Sequence, residues 1–367
     1  MTSPELAADE AAALGAPLLE VDAVDEGTFQ RVALANGWSD GLPVIAPTPE
    51  RVAAMLAAVD ASPELSLGRV PPAGRAATLG VIAANAVMAG CEPRWFPVVV
   101  AAVSAVLDPA FNLESMVPTT HPVSTFICVN GPMAESLGYN GGANALGPGN
   151  AANATTGRAL RLVLQNIGGG RAPDVDRSTQ GGPAKYTYCA AENEKASPWA
   201  PLHVDRGFAR DESVVTVFGG SAPANIVDYV SSTPEGILYT AASTIAGTGS
   251  NNAYYMGQIV LFLAPEHAAT IAAGGWNKAD IKAFLYDMAR NSLRDLKRGG
   301  MWGMQFWPAW FTAVDDDHRL PLVVHPDDIQ VIVLGGAGRQ SCVMHAWTGT
   351  TTGISRRVVT SGLEALT

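Results

Sequence analysis

The chain has 367 residues, with 23 Lys or Arg against 34 Asp or Glu, so its formal charge is −11 at neutral pH. This acidic balance argues against a nucleic-acid-binding protein, which needs a basic face for phosphates, and against a polybasic membrane anchor. A hydrophobic content of 48% argues against a disordered chain and provides enough apolar material for a large buried core.

Residues 1–25 are acidic and rich in Ala, and we expect them to form a flexible arm without a secretory signal. The longest apolar run, Phe96–Leu107, is too short to span a bilayer, so we expect no membrane partner. The cysteines lie far apart and form no Cys-x-x-Cys pair: Cys91, Cys128, Cys189 and Cys342. This spacing favours reduced thiols and a cytoplasmic location.

The first half of the chain predicts alternating strands and helices. In chain order the elements are a strand at 41–47, a helix at 48–59 opened by Thr48 and Pro49, a helix at 75–88 ended by Gly90, a helix at 92–107 and a strand at 124–130.

The second half continues the alternation. The predicted elements are a helix at 153–167, a strand at 213–218, helices near 224–231 and 237–246, and a strand at 258–263. Helices at 265–273 and 278–289, a short helix that ends at 298, and strands at 321–324 and 329–334 follow. This order predicts an α/β fold, a layered mixed sheet with helices. Residues 26–367 would form one large unit, with a possible subdivision near 168–185 into two intimately packed domains.

The stretch 139–156 holds four asparagines among four glycines and then opens a helix that carries Arg158. Glycine allows close backbone approach, and a helix N-terminus attracts anions. One interpretation is therefore a substrate-binding loop for a carboxylate, phosphate or oxyanion, formed by Asn140, Asn144, Asn150 and Asn153 with help from Arg158. The alternative is a long turn whose Asn side chains bond to their own backbone.

The segment 186–205 contains Glu192, Glu194 and His203, which could exchange protons with a substrate. Its prolines and Trp199 are equally compatible with a loop that has only a structural role. If Glu192 and His203 are general catalysts, replacing either should lower turnover by ~10²-fold or more.

Two further polar segments follow. One interpretation of the stretch 247–255 is a loop that contacts a ligand through Asn251 and Asn252, and the alternative is a plain turn. A Gly-rich segment after the 329–334 strand offers Gly336, Gly338 and Ser341, in the position where open α/β sheets bind ligands. Cys342 precedes His345 by three residues, so a thiolate–imidazole pair is conceivable, although buried cysteines are more often inert.

Metal ligation has little support. The six histidines are dispersed, and the acidic turn 315–318 is more typical of a solvated loop than of a metal site. The sequence predicts no metal and no cofactor. The Trp- and Met-rich stretch 300–310 would wall an apolar pocket, form a subunit interface or simply pack in the core.

Several strings together resemble proteins related to the UGSC (seleno)protein family. They are Asn-Gly-Trp-Ser-Asp-Gly-Leu-Pro-Val at 36–44, Asn-Ala-Val-Met-Ala-Gly-Cys at 85–91, Ala-Glu-Asn-Glu at 191–194, Ser-Pro-Trp at 197–199, Pro-Glu-His-Ala at 265–268 and the 335–341 loop. The family's Sec/Cys-Gly-Ser-Cys motif implies thiol redox chemistry. Here the nearest string is Arg-Gln-Ser-Cys at 339–342, so the resemblance transfers no redox residue.

Three functions remain open. The first is a small-molecule enzyme of lyase or hydrolase type, acting on a polar, anionic substrate by side-chain acid/base chemistry. The second is a thiol-dependent oxidoreductase using Cys342 or Cys189. The third is a non-catalytic small-molecule-binding protein or complex subunit. We expect a homo-oligomer, and we expect the polar segments 140–156, 186–205, 247–255 and 335–345 to converge in one cleft.

Overall fold

The structure, a computed structural model, describes residues 13–17, 21, 25–299, 302–303 and 315–366. The α-helices within these residues are α1 (Glu26–Ala35), α2 (Pro49–Leu56), α3 (Leu79–Ala89), α4 (Phe96–Val106), α5 (Leu113–Met116), α6 (Pro132–Ser136), α7 (Ala151–Asn166), α8 (Leu202–Asp205), α9 (Pro234–Ile245), α10 (Asn252–Tyr255), α11 (Pro265–Ala273), α12 (Lys278–Met288) and α13 (Leu293–Arg298).

The strands within the same residues are β1 (Ser66–Val70), β2 (Arg75–Thr78), β3 (Val123–Asn130), β4 (Cys189–Ala191), β5 (Val214–Ser221), β6 (Ala224–Val227), β7 (Ile259–Leu263), β8 (Arg290–Ser292), β9 (Arg319–Pro321), β10 (Ile329–Val333), β11 (Gln340–His345) and β12 (Ile354–Arg357).

Two four-stranded mixed sheets form the centre of the molecule. The first sheet has the order β12-β5-β3-β4, with β3 parallel to β4 and the other pairs antiparallel. The second has the order β10-β7-β11-β6, with β10 parallel to β7. Two antiparallel hairpin pairs, β1-β2 and β8-β9, lie outside these sheets. The mixed α/β class expected from the sequence is confirmed.

Side-chain alternation along the strands explains how the two sheets pack. In β3, Phe126 and Cys128 belong to a buried cluster shared with the second sheet, whereas Ile127 and Val129 belong to a separate helix-side cluster. The ring of Phe126 meets the ring of Phe262 on β7 edge-on, with centroids 5.0 Å apart. Because successive residues of a strand point to opposite faces, each sheet presents one apolar face to the other sheet and one to helices.

The outer faces are covered by helices, which gives an α/β/β/α order of layers. The first sheet packs under α4 and α7, and α3 packs on those two helices. The second sheet packs under α9, α11 and α12. Helix α4 is buried along its whole length, which explains why all its residues except Ser104 are apolar.

Most predicted elements are present with boundaries shifted by a few residues. Thr48 caps α2, and Gly90 ends α3 in the left-handed conformation at φ +87°, as predicted. Strand β2 occupies the start of the predicted 75–88 helix.

Three predictions of secondary structure are wrong. The 41–47 stretch is not a strand: its Val44 N–H donates to the Gln30 side chain, and Pro43 and Pro47 have no N–H to donate to a neighbouring strand. The 224–231 stretch is the edge strand β6, paired with β11, followed by a turn. The strand predicted at 321–324 is misplaced: the observed strand, β9, covers Arg319–Pro321 and ends where the predicted one would begin.

Within the described residues, no single helix has both the length and the apolarity to cross a membrane. One pair, Pro93–Val106 and Pro109–Met116, meets the criterion only when taken together, and it bends by 74° at its break. The proposed arm at 1–25 lies largely outside the described residues, and the domain division stays a prediction.

Candidate functional site

The Asn-rich loop before α7 uses its polar side chains internally. Asn153 is 3% exposed; its Oδ1 accepts the Asn140 N–H at 2.9 Å, and its Nδ2 donates to the carbonyls of Asn140 and Ala145 at 2.8 and 3.0 Å. Asn150 caps α7 by accepting the Asn153 N–H at 2.9 Å. The Asn144 amide donates to the Pro148 carbonyl at 2.6 Å. These contacts favour the structural alternative for the loop.

Arg158 does not lie free beside this loop. Its Nε and Nη2 donate to the two carboxylate oxygens of Asp40 at 2.9 and 2.8 Å, and both side chains are largely buried. Such a bidentate pair fixes the guanidinium and satisfies its charge. Arg158 therefore joins α7 to the segment before α2, and its expected contact with a substrate anion has no support in this geometry.

The predicted proton carriers do come together, at the end of β3 and β4. Asn130, the last residue of β3, donates through Nδ2 to Glu192 at 2.7 Å and to Glu194 at 3.0 Å. The Nδ1 atom of His203 lies 3.9 Å from the Glu194 carboxylate, and His203 is fully buried. Asn130 was not singled out from the sequence, because a strand-terminal Asn has no distinctive pattern.

Lys278 completes this buried cluster and was also missed. Its Nζ donates to Asp205 at 2.6 Å and to the Ala200 carbonyl at 2.7 Å, and lies 3.9 Å from Glu192. A lysine in the first turn of α12 opposes the helix dipole, and this was the one available sequence signal. Burial raises the pKa of Glu192 to about 7, although Lys278, the Leu202 N–H and the Asn130 amide act in the opposite direction.

The loop 335–341 also contacts the cluster, and its polar groups are bonded to neighbouring segments of the chain. The Gly335 N–H donates to Gly141, and the Gly338 N–H donates to the Glu266 carboxylate. Gly336 packs against Ala143 so closely that a Cβ atom would lie 2.6 Å from the Ala143 Cβ. Ser341 is 2% exposed and its Oγ pairs with His267 Nδ1 at 2.8 Å. These residues join the ends of the two sheets.

The proposed Cys342–His345 pair is wrong. Both residues lie on β11, and a separation of three along a strand places the side chains on opposite faces. Cys342 packs against the core between the sheets, whereas His345 bonds to α9. Burial also raises the pKa of the Cys342 and Cys189 thiols, which keeps them protonated at neutral pH.

A large cleft of about 910 Å³ opens at the other end of the sheets. Its described lining residues come from the start of β3, the end of β5, the end of β11, the 248–255 segment and α13: His121, Pro122, Val123, Ser221, Thr248, Gly249, Ser250, Asn251, Tyr254, Tyr255, Asp295, Arg298, Gly299 and His345. The volume is within the range of small-molecule sites.

The expected convergence of all four polar segments is therefore wrong. Segments 140–147, 191–197 and 333–336 meet at the carboxyl ends of β7 and β10, where the Asn193 N–H donates to the Val333 carbonyl at 2.8 Å. The 247–255 segment precedes β7 and lies at its opposite end. A strand of five residues separates the two groups by about 13 Å. Asn252 is buried there and donates to the Leu322 carbonyl, so it does not line the cleft.

His345 has a defined tautomer at the wall of the cleft. Its Nε2 lies 2.9 Å from the carbonyl oxygen of Ile245, which can only accept, so Nε2 carries the proton. Nδ1 makes no hydrogen bond with the described part of the chain and keeps its lone pair. Burial lowers the pKa of His345 below 6.5, an effect only partly opposed by the Ile245 carbonyl. His345 is therefore a neutral imidazole base at pH 7.

The cleft also contains other polar groups, two of which sequence reasoning missed. Arg298, in the last turn of α13, lies 3.7 Å from Asp295 and donates no hydrogen bond to the described residues. His121 meets the ring of Tyr255 edge-on, with centroids 6.5 Å apart. Tyr255 and Ser250, whose Oγ is buried without a partner in the described chain, belong to the 247–255 segment that was expected to face a ligand. Arg298 and His121 are distant from that segment in sequence, so no local spacing indicated them.

Within the described residues, no group of three or more His, Cys, Asp or Glu side chains is arranged to hold a metal ion. The acids of the 315–318 turn pair with α13 instead: Asp317 with Arg294 at 2.6 Å and Asp316 with Lys297. The Trp- and Met-rich stretch 300–310 lies outside the described residues except for Trp302 and Gly303.

Comparisons with protein-family models, with curated proteins and with solved structures find no match for this chain. The resemblance to UGSC-related proteins therefore stays a prediction, and the functional argument depends on the geometry.

Replacing Asn153 with Ala should destabilise the protein by about 2–4 kcal/mol, because three hydrogen bonds are lost and their backbone partners stay buried and unpaired in the closed loop. Urea denaturation measures this loss. Asn225→Ala, on the exposed side of β6, is the control and should change stability by no more than about 0.5 kcal/mol. An equally small effect at Asn153 would favour the ligand-binding interpretation of the loop.

Glu192→Gln should change how stability depends on pH. Because the pKa of Glu192 is raised on folding, the folded state binds this proton more tightly than the unfolded chain. That stabilisation is complete below about pH 4.5 and is lost as the pH rises through about 7. Relative to the wild type, the variant should therefore gain up to about 3 kcal/mol between pH 5 and 8.

The measurement is the free energy of unfolding of both proteins across this pH range. Glu114→Gln, at an exposed position, controls for the loss of one surface charge. Wild-type and Glu192→Gln curves that run parallel from pH 5 to 8 would contradict the buried, raised-pKa carboxyl.

Proposed function

We propose that this protein is a small-molecule enzyme of lyase or hydrolase type that binds a polar, anionic substrate in the cleft. His345 acts as the general base. The observation that carries the proposal is the fixed tautomer of His345: the Ile245 carbonyl accepts the Nε2–H, and Nδ1 has no partner in the described part of the chain, at the wall of a cleft of about 910 Å³.

The base is suited to neutral pH. An imidazole with a lowered pKa is already deprotonated at pH 7, so Nδ1 can accept a proton from a substrate C–H group or from an attacking water. Loss of a leaving group after C–H deprotonation gives a lyase, and attack by the activated water gives a hydrolase. Both reactions need a base, a group that stabilises negative charge, and a proton for the leaving group, which the protonated His345 can return.

Arg298 supplies the second requirement. Among the described residues its guanidinium donates no hydrogen bond, and its acidic neighbour Asp295 lies 3.7 Å away and itself accepts the Ser292 hydroxyl. An anionic substrate group bound to Arg298 would bring its reacting carbon toward the β11 end of the cleft. The Asn251 amide donates to Trp347 and stiffens the same wall.

In this proposal the role of Glu192, Glu194 and His203 is structural, and not catalytic as the sequence suggested. They lie at the opposite end of the sheets from the cleft and do not line it. Their bonds to Asn130 and the Leu202 N–H join the β3–β4 edge to α8.

The thiol-dependent alternative through Cys342 or Cys189 loses support, because burial raises the pKa of both thiols. A non-catalytic small-molecule binder would use the same cleft without turnover. Cytoplasmic location and homo-oligomerisation stay predictions from the sequence.

The test is a screen of polar carboxylated and phosphorylated compounds, with products detected by mass spectrometry. We expect turnover of at least one, lowered by about 10²-fold or more in His345→Gln. In the wild type, kcat/KM should be constant near neutral pH and should fall as the pH drops below the lowered pKa of His345. Arg298→Met should mainly raise KM.

His318→Gln is the matched control: this histidine is exposed, does not line the cleft, and should leave kcat/KM unchanged. Undiminished turnover in His345→Gln would refute the proposed base. Saturable binding in the cleft without turnover of any bound compound would favour the non-catalytic binder.

A further inference from the structure

The outer edge of strand β6 has no partner strand in the described chain. β6 is the last strand of the second sheet and pairs only with β11. Just past β6, the Asp228 N–H donates to the Arg339 carbonyl, so Asp228 and, two residues earlier, Ile226 bond to the β11 side. Because bonding alternates along an antiparallel strand, the N–H and C=O groups of Asn225 and Val227 point away from β11.

The neighbouring ladder supports this alternation. The Ala346 N–H donates to the Gln258 carbonyl, so the even-numbered residues of β11 bond to β7 and the odd-numbered ones bond to β6. Asn225 and Val227 face even-numbered residues of β11 in the register. Both residues are exposed, and their four outward backbone groups have no hydrogen-bond partner in the described chain.

The other edges of the two four-stranded sheets are protected. All residues of β4 and of β10 are buried. The β12 edge carries Arg356 and Arg357, which pair with Asp108 and Glu212. Native sheets protect their edges by such covering or by charged side chains. β6 has neither protection: its sequence is Ala-Asn-Ile-Val, and three of its four residues are exposed.

Exposed apolar side chains are concentrated beside this edge. Of the ten large hydrophobic residues that are exposed in the described chain, four lie between 227 and 239, with exposed fractions from 44% to 89%: Val227, Tyr229, Val230 and Tyr239. Tyr239 belongs to α9, and the next residue, Thr240, donates to the Asp228 carboxylate at 3.2 Å, which places this part of α9 beside the edge. A concentrated apolar patch of this kind marks an interaction surface.

The charged residues next to β6 in the ladder are bonded within their own turn. The Asp228 carboxylate accepts the N–H groups of Val230 and Ser231 at 3.1 and 2.9 Å. Arg339 donates to the carbonyls of Asp228 and Ser231. The whole chain has a formal charge of −11, so two copies repel each other, but β6 itself has no ionised side chain and adds no like-charge contact.

We propose that the β6 edge binds a second copy of this chain. Around a two-fold axis beside Ile226, β6 pairs antiparallel with β6 of the second copy. The Asn225 N–H donates to the Val227 carbonyl of the other copy, the Val227 N–H donates to the Asn225 carbonyl of the other copy, and the symmetry repeats both bonds. The outward groups of both copies are then paired, and the two second sheets join into one sheet of eight strands. This interface does not depend on the function proposed for the cleft.

The size of the patch sets the expected strength of the dimer. The four exposed apolar side chains offer on the order of 400 Å² per copy, against roughly 800 Å² per partner in a standard interface. The strand edge adds contact area, but the interface stays at the small end of the range. We therefore expect a reversible dimer with a dissociation constant on the order of 10 μM.

The test is sedimentation equilibrium of the wild type from about 1 to about 300 μM, with amide hydrogen exchange of the β6 peptide measured by mass spectrometry at both ends of this range. We expect a monomer–dimer equilibrium and slower exchange of the peptide at the higher concentration. Val227→Pro removes an outward N–H and none that bonds to β11, so two of the four hydrogen bonds between the copies are lost. Its dissociation constant should rise about tenfold or more.

Val227→Lys should weaken the dimer as well, because a lysine on an edge strand opposes pairing with another strand. It also carries the test if Val227→Pro does not fold. Val324→Lys is the matched control: Val324 is exposed and precedes β10, at the opposite edge of the second sheet, and this variant should dimerise like the wild type. A monomer over the whole range, a dimer that neither Val227 variant weakens, or a dimer that Val324→Lys weakens equally would each overturn the proposal.

Discussion

The contact between the inner faces of the two sheets is the constraint on which the rest of the molecule depends. Phe126 lies at its centre, with its ring centroid 5.0 Å from that of Phe262 and 4.8 Å from that of Tyr188. Removing such a buried ring typically costs roughly 3–5 kcal/mol, because the surrounding side chains refill the cavity only in part. The two sheets must therefore keep a fixed alignment, and this alignment determines which loops meet at each end.

The two ends differ in whether a ligand has room to bind. At the β4 and β10 ends, Glu192, Asn130 and Lys278 pair mainly with one another and with nearby backbone, although Glu192 Oε1 and His203 Nδ1 are buried without a partner in the described chain. At the other end, His345 lies at the wall of a cleft of about 910 Å³, and its Nδ1 makes no hydrogen bond with the described residues. A titratable nitrogen beside a cleft of that size makes this end the better candidate for chemistry.

Local patterns in the sequence predicted the helices and strands better than they predicted which distant segments come into contact. The caps at Thr48 and Gly90 depend on neighbouring residues only and were correct. Strands β6 and β11 were missed because edge and polar strands lack a clear apolar alternation. The proximity of Glu192, Glu194 and His203 followed from their closeness in sequence. In contrast, Lys278, Arg298 and His121 reach their sites through strand order and register, which one sequence does not reveal.

The central claim is that His345 is a neutral base with Nδ1 available to a ligand. Nitrogen-15 NMR of selectively histidine-labelled protein tests it directly, with the His345 signal assigned by its loss in His345→Gln. We predict the Nε2–H tautomer at pH 7 and protonation only below pH 6.5. A His345 ring that is protonated at pH 7, or that carries its proton on Nδ1, would contradict the account.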